Sequence, residues 1–240
     1  MIYAVLADIH GNDIALEAVI ADAQKQGATG FICVGDIVGY GAEPGRCLER
    51  VRNLGCACVA GNHDRAIAGV GDLATFNSDA HASALWTRQR LSAEERDFLA
   101  GLPLTATVDS ATIVHGSLQD PEQFNYILSL WDAVQTFRRM TQPLCFVGHS
   151  HVAGFFHLDD SVTYSVAEHL HLTAKGRVIV NAGSVGQPRD CDPRAAYALY
   201  DVGQKTVSLR RVTYDWEAAA QKILAAGLPE MNAYRLALGQ

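Results

Sequence analysis

The sequence predicts an α/β protein in which two sheets pack face to face and helices cover their outer faces, and three observations carry that prediction. Over the first sixty residues, short apolar runs (IYAVLA, GFICVG, ACVAG) alternate with stretches of helical spacing, the pattern that builds a largely parallel sheet. The second half is rich in strand-like runs, each set needing a cover for its outer face. With 240 residues, 49% of them hydrophobic and 19% charged, the chain can bury a large core, and one domain over residues 1–240 is expected.

Each element has its own signal. After IYAVLA, residues 13–26 place Ile14, Ala15, Ala18, Val19 and Ala23 at helical spacing. GFICVG reads as a second buried strand, PGRCLERVRNLG as a helix with Pro at its start and Gly past its end, and ACVAG as a third strand. Residues 77–100 hold two helical stretches, the second opening with Ser92 as N-cap and Glu95 at the capping-box offset. LTATVD and ATIVHG predict a hairpin around Asp109 and Ser110. A helix near 129–140 and the strand PLCFVG follow, then strands near 152–158, 161–173, 177–181, 195–202 and 206–213. Helices over 215–226 and 230–238 close the chain.

Composition excludes several classes. A net charge of −7 provides no basic field to gather a long polyanion, so extended nucleic acid is not an expected partner. A small anionic substrate stays open, because bound divalent metals would reverse the local sign of the field. No apolar run approaches the ~20 residues of a bilayer span, and the start MIYAVLADIHGND lacks a basic region before its apolar stretch. A soluble cytoplasmic protein with no membrane partner is expected. Six cysteines without framework spacing (33, 47, 56, 58, 145 and 191) fit reduced, mostly packed thiols. Oligomeric state has no signature in the sequence.

Five segments hold polar residues that fit a structural role badly: ADIHGN (7–12), VGDIVG (34–39), AGNHD (60–64), VHG (114–116) and VGHSH (147–151). Each follows an apolar strand-like run, and loops at the carboxyl ends of parallel strands share one sheet edge. Carboxylate oxygen, imidazole nitrogen and amide oxygen are the donors that hard and borderline divalent metals take. Asp8 and His10 stand two apart, as do His149 and His151, so each pair would point to one side of an extended segment. With Asp36, Asn62 and His115 there are donors enough for two ions. If they share a carboxylate, two ions can sit about 3.5–4 Å apart, the arrangement used for displacement at phosphorus.

These blocks, DxH at 8–10, GD at 35–36, GNHD at 61–64, HG at 115–116 and GHSH at 148–151, resemble in order the five signatures of the calcineurin-like metallophosphoesterases. NAGSVGQPRD (181–190) is similar to bacterial members in the branch of small phosphodiesterases and diadenosine tetraphosphatase-like proteins. The resemblance implies a four-layer α/β/β/α sandwich of two mixed sheets with a metal site at one sheet edge. It implies that Asp8, His10 and His151 hold one metal, that Asn62, His115 and His149 hold the other, and that Asp36 bridges. It gives His63 the role of proton donor to the leaving alkoxide and Asp64 that of orienting and charging its imidazole. A bridging hydroxide would attack a small phosphodiester or phosphomonoester, with two divalent ions, manganese first and Fe, Ni, Zn, Co or Mg as alternatives.

The Ser/Thr protein phosphatases of this family carry VDRG after GD, whereas this chain has IVGYG, so the phosphate-binding Arg is absent. A Ser/Thr protein phosphatase and a non-catalytic scaffold on the same fold are the rival readings. Asn12 is both a candidate substrate contact and a candidate N-cap for the helix it precedes. Arg189 is a candidate for the substrate phosphate by family analogy, against a salt bridge with Asp190 or Asp192. His81, His157, His169 and His171 lie outside the blocks and carry no expected chemistry.

Overall fold

A computed structural model describes residues 1–173 and 176–240. The alternating first third folds as strand β1 (Ile2–Leu6), helix α1 (Asp13–Lys25), β2 (Gly30–Cys33), α2 (Pro44–Leu54), β3 (Ala57–Cys58) and α3 (Asn62–Ala68). Local chemistry sets the boundaries. The Oδ1 of Asn12 accepts the Ala15 N–H at 3.1 Å and starts α1, while Pro44 opens α2 and Gly55, at φ 57°, ends it in the left-handed conformation. The helix α3 has no counterpart in the sequence reading, because seven residues are too few to show a helical period.

Next come α4 (Ser78–Arg90), α5 (Ala93–Ala100), the hairpin of β4 (Thr105–Val108) and β5 (Ala111–Val114), and α6 (Leu130–Arg139). The expected capping box is present: Ser92 Oγ accepts the Glu95 N–H at 3.2 Å, and Glu95 Oε2 accepts the Ser92 N–H at 2.7 Å. The second half runs β6 (Leu144–Val147), β7 (Gly154–Leu158), β8 (Val162–Ser165), β9 (His169–His171), β10 (Arg177–Asn181), β11 (Ala195–Asp201), β12 (Thr206–Val212), α7 (Trp216–Ala225) and α8 (Glu230–Leu238). One expectation is corrected here. Residues 161–173 form two strands in different sheets, since β8 pairs with β7 and β9 with β12.

The two six-stranded sheets have the orders β3-β2-β1-β11-β12-β9 and β4-β5-β6-β10-β7-β8. In the first, β1, β2 and β3 run parallel, and in the second β5, β6 and β10 do, with antiparallel strands completing each. Val5, Ile32, Phe146, Phe155, Val180 and Tyr200 fill the space between the sheets. On the outer face of the first sheet, Leu16 and Val19 of α1 and Leu48 of α2 pack with Tyr197. On the outer face of the second, Ala133 and Phe137 of α6 pack with Cys145 and Ile179. The result is the four-layer α/β/β/α sandwich.

All six cysteines are free; Cys33, Cys47 and Cys145 are buried, and Cys56 and Cys58 pack sulfur to sulfur at 3.5 Å. Among the described residues no helix is long and apolar enough to cross a membrane.

Candidate metal centre

The parallel strands of both sheets deliver their carboxyl ends to one edge, and the polar segments meet there. Asp8 and His10 follow β1, Asp36 follows β2, Asn62 opens α3 after β3, His115 follows β5, and His149 and His151 follow β6. Asp8, His10 and His151 offer donor atoms within 4.8 Å of one another, and so do Asp36, His115 and His149. A third overlapping group, His10, Asp36 and His63, places Asp36 between the two sets. His115 Nε2 lies 3.3 Å from Asp36 Oδ2 and 3.9 Å from Asp8 Oδ1, so the sets are contiguous.

The route to this convergence differs from the expected extended segments. Asp8, His10, Asp36, His149 and His151 have φ of 52°, 49°, 54°, 66° and 60°, all in the left-handed region that costs a non-glycine residue about 1–2 kcal/mol. Backbone lacing holds them there: the N–H groups of Asp8, His10 and Gly11 donate to the carbonyls of Gly35, Asp36 and Ile37 at 3.0–3.1 Å. Gly148 N–H likewise donates to His115 O at 2.9 Å. The donors therefore face one another because the loops turn.

Each carboxylate is divided between two tasks. Asp8 Oδ2 accepts the His149 N–H at 2.9 Å, which leaves Oδ1, buried and without a hydrogen-bond partner, 3.2 Å from His151 Nε2. Asp36 Oδ1 accepts the His63 N–H at 2.9 Å, which turns Oδ2 toward His115 and toward His10 at 3.6 Å. Gly61 and Gly148 are required for this closeness, since a Cβ at either would collide with the Asp36 or the Asp8 carboxylate.

Three imidazoles have their tautomers fixed. The Nδ1 atoms of His10, His115 and His151 face the carbonyls of Val38, Val34 and Gln187 at 3.1, 2.8 and 2.6 Å. A carbonyl only accepts, so each Nδ1 carries a proton, and in the neutral ring each Nε2 is left with its lone pair toward the centre. His10 Nε2 and His151 Nε2 then face each other at 3.1 Å, two acceptors with no proton between them in the neutral rings. Opposed lone pairs beside an unpartnered carboxylate oxygen are resolved by a cation, and the buried, unpartnered Asn62 Oδ1 adds another donor. The residues fit divalent metal.

Burial holds the imidazoles of His10 and His149 well below their ordinary range and pushes that of His63 down to about 4. Burial works the same way on His115, but the Asp36 charge and hydrogen bond outweigh it and lift the imidazole to about 9. In turn Asp36, although burial opposes its charge, is held well below the carboxylate range, chiefly by His115. Burial and then the Asp36 charge push Asp64 up to about 7.

Among the described residues no hydrogen bond joins the side chains of Asp64 and His63. Asp64 Oδ1 accepts from Ile37 N–H and Val38 N–H at 2.9 and 3.2 Å, and Oδ2 accepts from Gly61 N–H at 3.1 Å, while His63 Nδ1 has no hydrogen-bond partner. The carboxylate ties the Asp36 loop to the start of α3. The His63 ring is held instead by packing, against Tyr40 and Phe76 at centroid distances of 4.6 and 4.5 Å.

Asn12 caps α1, and its Nδ2 donates to Gly186 O at 2.9 Å. Arg189 is placed differently from its salt-bridge alternative: Asp190 pairs with Arg211 and Asp192 with Arg194. The Arg189 guanidinium lies 5.6 Å over the Tyr40 ring, donates to Gln187 Oε1 at 2.8 Å, and keeps a buried Nε without a partner. Of the four remaining histidines, His157 and His169 bond Ser165 and Ser208 on the outlying strands.

Beside the centre opens a cleft of about 650 Å³ whose walls include Asn62, His63 and His149. Three of the aromatic residues that line it, Phe76, Phe124 and Tyr126, have no signal in the sequence, because loop aromatics follow no period.

The model of the calcineurin-like phosphoesterase superfamily domain matches residues 1–205. The chain is similar to the uncharacterized protein MJ0912 of Methanocaldococcus jannaschii, 36% identical over 242 residues that span 99% of this chain and 98% of that one. It is similar to the crystal structure of a metallophosphoesterase from Sphaerobacter thermophilus, with 39% identity, TM-score 0.90, and coverage of 100% of this chain and 99% of that one. A protein from Pyrococcus horikoshii shares the fold at TM-score 0.81 and 22% identity, covering 100% of this chain and 98% of that one. With a metal-binding constellation at the sheet edge and a family match over most of its length, the chain belongs to the calcineurin-like phosphoesterase superfamily, a family of hydrolases acting on phosphate esters.

Proposed function

We propose that this protein hydrolyses a small phosphodiester or phosphomonoester with two divalent cations, held by Asp8, His10 and His151 on one side, by Asn62, His115 and His149 on the other, and by Asp36 between. The observation that carries the reading is the facing pair of His10 and His151 nitrogens at 3.1 Å beside the unpartnered Asp8 Oδ1. Bound divalent cations supply Lewis acidity, which polarises a phosphoryl oxygen and lowers the pKa of water. Mixed oxygen and nitrogen donors suit manganese first, with iron, nickel, zinc, cobalt and magnesium as alternatives.

The chain's own residues do the rest. The Val38, Val34 and Gln187 carbonyls fix three rings so that no reorientation is needed when substrate arrives. Arg189, its guanidinium paired with no carboxylate among the described residues, binds a phosphate oxygen of the ester. His63, walled between Tyr40 and Phe76 at the cleft, relays a proton from solvent water to the departing oxygen, since burial leaves its ring neutral beforehand. The free cysteines suit a reducing, cytoplasmic setting.

Metal content and turnover test this together. Protein loaded with Mn²⁺ is expected to release nitrophenolate from bis(4-nitrophenyl) phosphate or from 4-nitrophenyl phosphate, and the preference between them separates diesterase from monoesterase. Asp36→Asn should lower bound metal and turnover in the same preparation. A full complement of metal with no hydrolysis across a panel of phosphoesters would favour the scaffold reading instead.

A further inference from the structure

The cleft beside the centre is far larger than a phosphate group, in the range of sites that enclose a whole organic ligand. Two loops form its walls. One runs from Val70 to Asn77 and carries Phe76, and the other contains Glu122 to Tyr126. The second loop is anchored: Ser117 N–H donates to Asn125 O at 2.9 Å, and the N–H groups of Leu128 and Ser129 donate to Asp132 at 3.1 and 2.9 Å. It presents Tyr126 in one place.

Tyr126 stacks on His149 with ring centroids 3.8 Å apart and planes 14° from parallel. His149 is buried, yet Tyr126 is 47% exposed, so one face of the phenol covers the histidine and the other is open. Phe124 lies edge-on to His115 at 5.9 Å, and Phe76 lies against His63. Each is half-buried, so the aromatic wall continues beyond the histidines it covers. Between these rings stand Thr75, Asn77, Gln123 and Asn125, donors and acceptors suited to the edge of a heterocycle. Away from the metal-binding side chains, the charged residues described along the cleft are Asp72, Glu122 and Arg65, so that end has no surplus of positive charge for further phosphates.

Building on the phosphoesterase reading above, we infer that the esterified alcohol of the substrate is a nucleoside, its base stacked on the open face of Tyr126 in the cleft between the Phe76 and Phe124 walls. The phosphate faces the histidines and the ribose spans the interval. Tyr126 is then a specificity residue, selecting esters that carry one base and no additional phosphate chain.

The test is equilibrium binding to the metal-loaded, full-length protein. 2-Aminopurine riboside 5′-monophosphate should lose fluorescence on binding, as a stacked base does, and AMP should displace it with an affinity about 5- to 150-fold above that of ribose 5-phosphate. In Tyr126→Ala that preference should fall toward one, and in Tyr126→Phe it should persist, which separates stacking from a mere prop under His149. Equal displacement by AMP and ribose 5-phosphate in the unmodified protein would overturn the inference, as would a preference that survives in Tyr126→Ala. Phenyl phosphate competing as well as AMP would overturn the nucleoside assignment in favour of a simple aryl ester. Nitrophenolate release from bis(4-nitrophenyl) phosphate is read in parallel. Protein that stacks the base but releases nothing refutes the phosphoesterase reading alone, and protein that hydrolyses the diester but ignores the base refutes this inference alone.

Discussion

At the level of single residues, Asp8, His10, Asp36, His115 and His151 are held by hydrogen bonds to the backbone, whereas the His63 ring is held by packing. Its Nδ1 has no partner and its ring is fixed by aromatic neighbours, so its chemistry can be removed without cutting a hydrogen bond. His63→Ala is expected to slow hydrolysis of an ester with an alkoxide leaving group by about 10²–10⁴-fold, and of a nitrophenolate ester far less, because only the first needs the proton. Equal losses on both would remove the assignment. The donor types were legible in the sequence, as Asp8, His10, Asp36, Asn62, His115, His149 and His151 all stand in short polar segments after apolar runs. What the sequence did not disclose was how they converge. Left-handed backbone at five of them depends on lacing between loops far apart in the chain, as does the diversion of the Asp64 carboxylate to three amides.

Between elements, the salient contact is the junction of α1 and α2. Asp13, in the first turn of α1, accepts from Arg46 at 2.9 Å and from Arg50 of α2. Burial alone would raise this carboxyl, but the two guanidiniums outweigh it and hold it below the usual range. A depressed folded value means that the contribution is complete above the unfolded carboxylate pKa near ~4 and is lost as pH falls through the folded value. Asp13→Asn should therefore flatten the acid limb of the stability curve, and cost about 1.5–3 kcal/mol at neutral pH in urea titrations. An unchanged acid limb would show that the junction contributes nothing there. Most helices and strands were legible because their periods run for several turns or pleats. The pair β8 and β9 was not, since alternation says nothing about which sheet receives a strand.

Over the whole molecule, the centre takes donors from both sheets: Asp8 and Asp36 follow strands of the first, while His115, His149 and His151 follow strands of the second. Any cation bound there joins the two halves of the sandwich, and ligand that binds only the folded chain stabilises it by mass action. At a free metal concentration about 1,000 times the dissociation constant the gain is about 4 kcal/mol, which for a chain of this size raises Tm by roughly 8–16 °C. Scanning calorimetry with and without a chelator measures it, and coincident melting curves would argue against metal at this edge. The sandwich itself was legible, because two groups of apolar strands with helical segments between them have few other ways to bury both faces.

On the side of β8 and β9 the chain leaves one sheet at Ser165 and enters the other at His169, with only residues 166–168 between. Four extended steps reach at most about 14 Å, and stacked sheets lie about 10 Å apart. There is little slack in that hem. The two leaves can shear past each other or part along this margin by only a few ångströms, so the distance between the leaf that carries Asp8, His10 and Asp36 and the leaf that carries His115, His149 and His151 is set in part by a short tether on the margin where β8 and β9 lie.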